Sequence, residues 1–343
     1  MSASDNQYSY VALVTGASRG IGLALVAQLA AGAAPAGVAP FFGVADGGAL
    51  ELAAPVVPAG AGSVVLAATR SAEPPAALAA LIASSNGRLR HIVLDVTSDA
   101  SIKAAVSTVE KDYGRLDLLV NNAGVSESRT HPCVGNVERA DLATVFDVNA
   151  FAPIIIASAF TPLLKATVAK YVADKGLKPL TASYGNDPLT GEPIAAGPNT
   201  SLVERRDVLA ALARRVAAAA AATPQASSEA DIAAYAASPV KVVTISSMMA
   251  STATMMASYL PGYRASKAAV NSFVVAAALE NPGIAFAAVH PGWVDTDMGS
   301  AGSMKAPVDP AQSAASIVEV VKRMRADKIP DGIYDVYGYV WPY

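Results

Sequence analysis

Tyr263-Arg264-Ala265-Ser266-Lys267 sets a phenol and an amine four residues apart, a spacing that puts both on one face of a helix. A free phenol, with a pKa of about 10, is a poor proton donor or acceptor near neutrality. An ammonium held on the same face stabilises the phenolate, lowers that pKa and makes tyrosine a usable acid–base group. An ordinary exposed helix can carry the same pair, so the spacing alone does not decide. Upstream, Ile245-Ser246-Ser247 closes a short apolar run. A serine hydroxyl there could hold a carbonyl beside Tyr263; the same serines also suit a strand-end cap.

A second group of residues reads as an anion cradle. Thr15-Gly16-Ala17-Ser18-Arg19-Gly20-Ile21-Gly22 follows the apolar run Val11–Val14 and opens into Leu23–Leu29. That is strand, tight glycine turn, then helix, the context of a dinucleotide-binding turn. Glycine permits positive φ and lets the backbone approach a pyrophosphate closely. The helix that follows aims its free N–H groups and positive dipole end at that anion. The spacing is G-x-x-x-G-x-G rather than the commoner G-x-G-x-x-G.

The rest of the chain must bring these two groups together. Continuous apolar runs at Val64–Ala68, Arg90–Leu94, Leu116–Val120, Val240–Ile245 and Ile284–His290 read as buried strands, with a last strand at Gly332–Val336. Helices are predicted over Pro74–Ser85, from Ser98 or Asp99 to Tyr113, over roughly Glu138–Ala169, Gly262–Glu280, and from Asp309 to about Ala326. Strands alternating with helices imply a doubly wound parallel sheet of seven strands with helices on both faces. Two stretches break the pattern, about 33–62 and about 170–238. Connections of this kind usually take about 2–6 residues, so both read as insertions in a single domain spanning 1–343. The second includes an alanine-rich helix predicted at Leu202–Ala222. Both join a helix end to the next strand's start, which places them at the amino edge, away from a ligand at the carboxyl ends. Neither is expected to touch a cofactor; Pro179 or Pro193 lining its pocket would contradict this.

Composition narrows the function classes. A net charge of −3 without a basic block gives no nucleic-acid surface. No apolar run of about 18 residues lacks charge or proline; Phe151–Leu164 comes nearest, broken by Pro153 and Pro162. The first residues lack the basic and apolar regions of a secretory signal. Cys133 is the only cysteine, which excludes an intrachain disulfide and suits a reducing compartment. His91, His131 and His290 lie far apart without metal-ligand spacing. The expectation is a soluble cytoplasmic protein without a metal site.

Taken jointly, Gly16-x-x-x-Gly20-x-Gly22, Asn121-Asn122-Ala123-Gly124, Ser247 and Tyr263-x-x-x-Lys267 resemble the short-chain dehydrogenase/reductase family in order and setting. His290-Pro291-Gly292-Trp293-Val294-Asp295-Thr296-Asp297-Met298 and the Gly332–Tyr343 ending are most similar to its carbonyl-reductase-like members, norsolorinic acid ketoreductase types included. The resemblance covers the chain outside the two insertions and implies a Rossmann-type fold. It implies Tyr263 as general acid in carbonyl reduction, with Lys267 lowering its pKa and binding the nicotinamide ribose. Ser247 would orient the carbonyl, and Asn149 would hold a water of the proton relay. Gly16, Ser18, Arg19, Gly20, Ile21 and Gly22 would cradle the pyrophosphate, Asp95 and Val96 the adenine, and Asn122 would flank the cofactor. Pro291, Gly292, Val294 and Thr296 would hold its carboxamide and phosphates. Ser247 stands slightly further before Tyr263 than the family's pattern has it; Ser251 is nearer that distance but off the strand end.

Cofactor choice has its own physics. A carboxylate at the end of the second strand binds the ribose 2′-OH of NAD, whereas arginine accommodates the 2′-phosphate of NADP. Here that strand ends Ala68-Thr69-Arg70 and Arg19 projects from the turn, so two guanidiniums can clamp a phosphate. NADPH is the expected cofactor. Met248, Met249, Met255, Met256, Trp293, Met298 and Met304 fall in loops expected around the site; they suit an adaptable pocket for a hydrophobic ketone and equally a packed loop core. Glu127, Arg129 and His131 follow the fourth strand without an assigned role. The competing readings are an NAD-linked alcohol dehydrogenase, an acyl-thioester ketoreductase, and a non-catalytic NADP-binding regulator. The resemblance allows a homodimer, a homotetramer or a monomer.

Overall fold

A computed structural model describes residues 8–41, 56–58, 62–127, 134–176, 237–255, 259–281, 283–300, 305–326, 328 and 330–343. One sheet runs through it. Its strands are β1 (Tyr10–Thr15), β2 (Ser63–Thr69), β3 (Leu89–Val93), β4 (Leu118–Asn121), β5 (Lys241–Ile245), β6 (Ala285–His290), β7 (Ile333–Asp335) and β8 (Val340–Trp341). The spatial order is β3-β2-β1-β4-β5-β6-β7-β8, parallel throughout except for the antiparallel β7–β8 pair. β1, β2 and β6 are buried along their whole length, which is why they read as continuous apolar runs. Edge strand β3 exposes Arg90 and Val93 instead.

Seven α-helices flank the sheet among the described residues: α1 (Gly20–Ala31), α2 (Ala76–Ser84), α3 (Asp99–Tyr113), α4 (Arg139–Phe146), α5 (Ala152–Asp174), α6 (Pro261–Glu280) and α7 (Pro310–Arg323). Local chemistry sets several of their ends. Ser98 caps α3 by accepting the Ser101 N–H, and Gly114 closes it at φ 63. Asp309 caps α7, and Pro310 takes its first position. One core layer joins Leu13, Leu66 and Leu119 to Ile102, Phe160, Leu164 and Val274 of α3, α5 and α6. The other joins Ala12, Val65 and Val120 to Leu25, Leu29, Ile317 and Val321 of α1 and α7. Alternate residues of each strand supply the two layers.

Three expectations change. The sheet has eight strands, not seven, because the aromatic tail folds back as β8. Asp335 drives the fold-back: its Oδ1 accepts the N–H groups of Tyr337 and Tyr339, and its Oδ2 accepts the Trp341 indole N–H at 2.7 Å. The helix expected over Glu138–Ala169 is three pieces, α4, a π-helical turn at Asp147–Phe151, and α5. Arg139–Asp174 as a whole is long and apolar enough to cross a membrane by length and composition, yet α5 buries Phe160 and Leu164 completely in the core. The first insertion does not stay at the amino edge. Its described residues climb along α7, where the Phe41 N–H donates to Ser316 Oγ and the Phe41 ring meets Tyr337 at 4.7 Å. That aromatic contact gives an apolar segment a place to pack. Of the second insertion, α5 takes the beginning, to Asp174; Pro179, Pro193 and the helix predicted at Leu202–Ala222 lie outside the described residues.

Candidate active site

The sheet order reverses between β1 and β4, where an open α/β sheet forms its ligand crevice. The glycine turn closes over that point. Gly16 and Gly20 have φ of +66° and +55°, conformations costly for other residues. A Cβ on Gly22 would stand 2.3 Å from Gly16 O and 2.5 Å from Asn122 Nδ2, and one on Gly16 would stand 2.9 Å from Ala123 Cα. Asn122 closes the contact by donating from Nδ2 to the carbonyls of Thr15 and Gly16, at 2.9 and 3.3 Å. Thr15 Oγ1 accepts the N–H groups of Asn122 and Ala123 in return. Asn122 thus ties the turn to β4, and Thr15 is a structural partner that its type alone did not reveal. α1 begins after Arg19 with no side-chain cap and no acidic residue in its first turn, leaving its N–H groups and dipole open to an anion.

The expected adenosine side lies at the ends of β2 and β3. Asp95 Oδ1 accepts both the N–H and the hydroxyl of Thr97; these bonds, with a smaller contribution from Arg70, hold its carboxyl below the usual range. Arg70 is exposed at the end of β2, and Val96 packs against the core. Arg19 departs from the simple picture: Nη1 pairs with Asp297 Oδ2 at 2.7 Å, both side chains being largely exposed. Asp297 belongs to the loop after β6, which braces itself over the turn. Pro291 O accepts the Ser313 hydroxyl, Gly292 turns at φ +84°, Val294 bridges to Val308, and Thr296 Oγ1 accepts the Gly299 N–H. A Cβ on Gly20 would meet Thr296 Cγ2 at 3.1 Å, so loop and turn are in contact.

The chemistry-bearing residues converge beside this cradle. α6 carries Tyr263 and Lys267 along the end of β5. The Tyr263 phenol lies near enough to the Ser247 hydroxyl for that hydroxyl to hold its pKa down; Ser247 Oγ accepts the Met249 N–H, Ser246 donates to Asn271 Oδ1 and Ser251 Oγ accepts the Thr254 N–H. Of the three serines, only Ser247 meets the tyrosine. Lys267 is buried, donates from Nζ to Ile245 O at 2.7 Å and lies 5.8 Å from the centre of the Tyr263 ring. Burial pulls its ammonium down to about 8. The phenol moves opposite to the expectation for the Tyr/Lys pair: burial raises it above its ordinary value, the nearby Glu127 charge adds to the rise, and the Ser247 hydroxyl works against both.

Asn149 sits in the π-helical turn. Its Oδ1 accepts the Val125 N–H, and its Nδ2 donates to Val125 O and to Ser266 Oγ. The side chain is spent on the backbone after β4, so a water at this residue would be held by its main chain. Gly124 makes the approach feasible: a Cβ there would stand 3.3 Å from Asn149 Oδ1 and 3.6 Å from Lys267 Nζ. Of the loop residues expected around the site, Met255, Trp293 and Met298 are exposed; Met256 and Met304 lie outside the described residues. Among the described residues no group of three or more His, Cys, Asp or Glu could hold a metal ion.

The model of the family described as short chain dehydrogenase matches residues 38–173 and 209–306. Those segments hold Asn122, Asn149, Ser247, Tyr263, Lys267 and the loop after β6. The chain belongs to the short chain dehydrogenase family. Among relatives, a short-chain dehydrogenase of Penicillium roqueforti, anuI, is 30% identical over 173 residues, 50% of this chain and 56% of that protein. The short-chain reductase protein NovJ of Streptomyces niveus is 33% identical over 139 residues, 40% of this chain and 41% of that protein. The chain therefore spans about half the length of these curated relatives. Solved structures share the fold over nearly all of it. The NADPH-bound carbonyl reductase from chicken fatty liver superposes with a TM-score of 0.63 at 24% identity, covering 98% of this chain and 100% of that one. Carbonyl reductase Sniffer of D. melanogaster does so with a TM-score of 0.63 at 20% identity and the same coverage.

Asp297 and Glu127 were named in the sequence reading without a role. Glu127, 6% exposed, accepts the N–H groups of Gly262 and Tyr263 on Oε1. The available signal was the start of α6, where Leu260-Pro261-Gly262 offers no capping side chain.

Proposed function

We propose that the chain is an NADPH-dependent carbonyl reductase that converts a ketone or aldehyde to an alcohol with Tyr263 as the proton donor. The observation that carries this reading is the convergence of three groups at the end of β5: the Tyr263 phenol near the Ser247 hydroxyl, and the buried Lys267 ammonium 5.8 Å from the phenol ring, with the glycine turn alongside. A nucleotide-binding protein without chemistry needs no such trio.

The residues present fit the cofactor. Gly16, Gly20 and Gly22 let the turn close tightly on Ala123, Thr296 and Asn122 where any Cβ would collide, and the uncapped, acid-free start of α1 suits a pyrophosphate. Arg19 and Arg70, with no carboxylate at the end of β2, support a 2′-phosphate. Among fold neighbours, the chicken reductase is NADPH-bound and one from Burkholderia multivorans has bound NADP. NADPH, when bound, supplies the hydride that ends on the carbonyl carbon.

The chain's own residues supply the rest. Ser247 orients the carbonyl oxygen against Tyr263. As negative charge develops on that oxygen, the phenol O–H bond breaks and the alcohol O–H forms, a transfer worth about 10²–10⁴-fold. Lys267 stabilises the phenolate left behind; with its ammonium at about 8, it is mostly cationic at pH 7. Asn149 and Ser266 brace the backbone after β4 against α6. Exposed Met255, Trp293 and Met298 support an apolar substrate.

The test is oxidation of NADPH and of NADH, at equal concentration, against a panel of small, bulky apolar and thioester-linked ketones. Turnover of an apolar ketone at least tenfold faster with NADPH is the expected result. A panel that leaves NADPH unconsumed, or a preference for NADH, would overturn the reading.

A further inference from the structure

The start of α6 decides where the Tyr263 phenol sits, and it has no local cap. Leu260, the residue before the helix, lies in the left-handed region at φ 58° and ψ 54°, an outlier for a branched side chain. A helix leaves its first N–H groups without intrahelical partners. Here they can be counted. Within the helix, Pro261 has none and the Arg264 N–H already reaches Leu260 O at 3.0 Å, so those of Gly262 and Tyr263 remain. Both are taken by one atom, Glu127 Oε1, at 2.7 and 3.1 Å, from a residue 135 positions earlier.

The surroundings are shaped for this contact. A Cβ on Gly262 would stand 2.8 Å from Glu127 Oε1 and 2.7 Å from Leu142 Cδ2, so the carboxylate reaches the helix only because that position is glycine. Glu127 Oε2 is buried with no hydrogen-bond partner among the described residues, a costly arrangement unless the other oxygen has a task. A negative charge at a helix N-terminus is also favoured by the dipole. Arg264 reinforces the placement by donating to Tyr259 O and Met249 O.

We propose that Glu127 is a positioning residue for the proton donor: it caps the tyrosine-bearing helix from the segment after β4 and thereby sets the Tyr263 phenol against Ser247. The inference rests on the reductase reading for its kinetic consequence, but not for the cap itself. Loss of the cap frees the first turn of α6, so the phenol spends less time in register with Ser247 and kcat falls while NADPH binding is spared. Glutamine keeps an acceptor oxygen at the same reach; alanine removes it.

The experiment combines amide hydrogen exchange of the wild-type protein with kinetics of Glu127→Gln and Glu127→Ala. Slow exchange at Gly262 and Tyr263, positions unprotected in an uncapped helix, is expected. Glu127→Ala is expected to lose at least tenfold in kcat with the NADPH Kd, read by cofactor fluorescence, changed less than twofold; Glu127→Gln is expected to stay within threefold of wild type. Fast exchange at the two amides, a fully active alanine variant, or a glutamine variant as impaired as alanine would each overturn the proposal. Should the alanine variant fail to fold, exchange and the glutamine variant still decide. Should wild type reduce no carbonyl, the reductase reading falls while the exchange data still judge the cap.

Discussion

At the scale of single residues, the proposed reaction gives Ser247, Tyr263 and Lys267 each a share in one proton transfer. The phenol is raised by burial and the ammonium lowered by it, so in the protein alone the two groups move apart in proton affinity, the lysine becoming the stronger acid. Ser247 opposes the rise of the phenol and is the hydroxyl that the proposed reaction sets against the carbonyl oxygen. Ser247→Ala is therefore expected to cost about 10²-fold in kcat and to leave the NADPH Kd unchanged, as measured by steady-state kinetics beside fluorescence titration. An alanine variant of full activity would remove Ser247 from the mechanism. The Tyr/Lys pair and the glycine turn were legible because each is local, four to seven residues carrying their own geometry. Ser247 stood out only as one of several hydroxyls, since its longer spacing from Tyr263 put Ser251 in contention; Ser247 is the one that acts on the Tyr263 phenol, while Ser251 is engaged with Thr254. Glu127 was not legible in its role, because its partners stand 135 and 136 positions away.

At the scale of elements, the loop after β6 and the turn before α1 act on each other. Thr296 packs over Gly20, and Asp297 holds the Arg19 guanidinium that a 2′-phosphate would need. An exposed pair of this kind is worth about 0–1 kcal/mol, so Asp297→Asn is expected to tighten NADPH binding by at most about fivefold and to leave NADH binding unchanged. Titration of both cofactors against both proteins checks this; equal tightening of the two would show that the pair acts on the loop and not on the phosphate. Caps written in neighbouring residues, Ser98 and Asp309, were readable in advance. The π-helical turn at Asp147–Phe151 was not, because it arises from the tertiary clamp of Asn149 on Val125 rather than from any propensity. Nor was the left-handed Leu260, whose strain is sustained by contacts of α6 with distant segments.

At the scale of the whole molecule, burial couples the fold to pH. His290 ends β6 just before the cofactor loop, and burial pulls its imidazole down to about 4, partly offset by Asp335. Between about 6.5 and about 4 the unfolded chain binds a proton there that the folded chain refuses, so stability falls as pH falls through that window, by about 3 kcal/mol in total. Denaturation of His290→Leu across the same range is expected to show a correspondingly shallower acid limb; an unchanged slope would assign the loss to other groups. The doubly wound parallel sheet followed from alternating strands and helices and from the right-handed crossover rule. The eighth strand did not, being two residues long and held by Asp335, and the first insertion was misplaced because its contact with Tyr337 is tertiary. All these layers serve one claim, that the Tyr263 phenol delivers a proton beside a bound nicotinamide. The most direct measurement is turnover and NADPH affinity of Tyr263→Phe beside wild type. A loss of at least about 10²-fold in kcat with an NADPH Kd within twofold is predicted; a phenylalanine variant that reduces the same ketone at the wild-type rate would contradict the account.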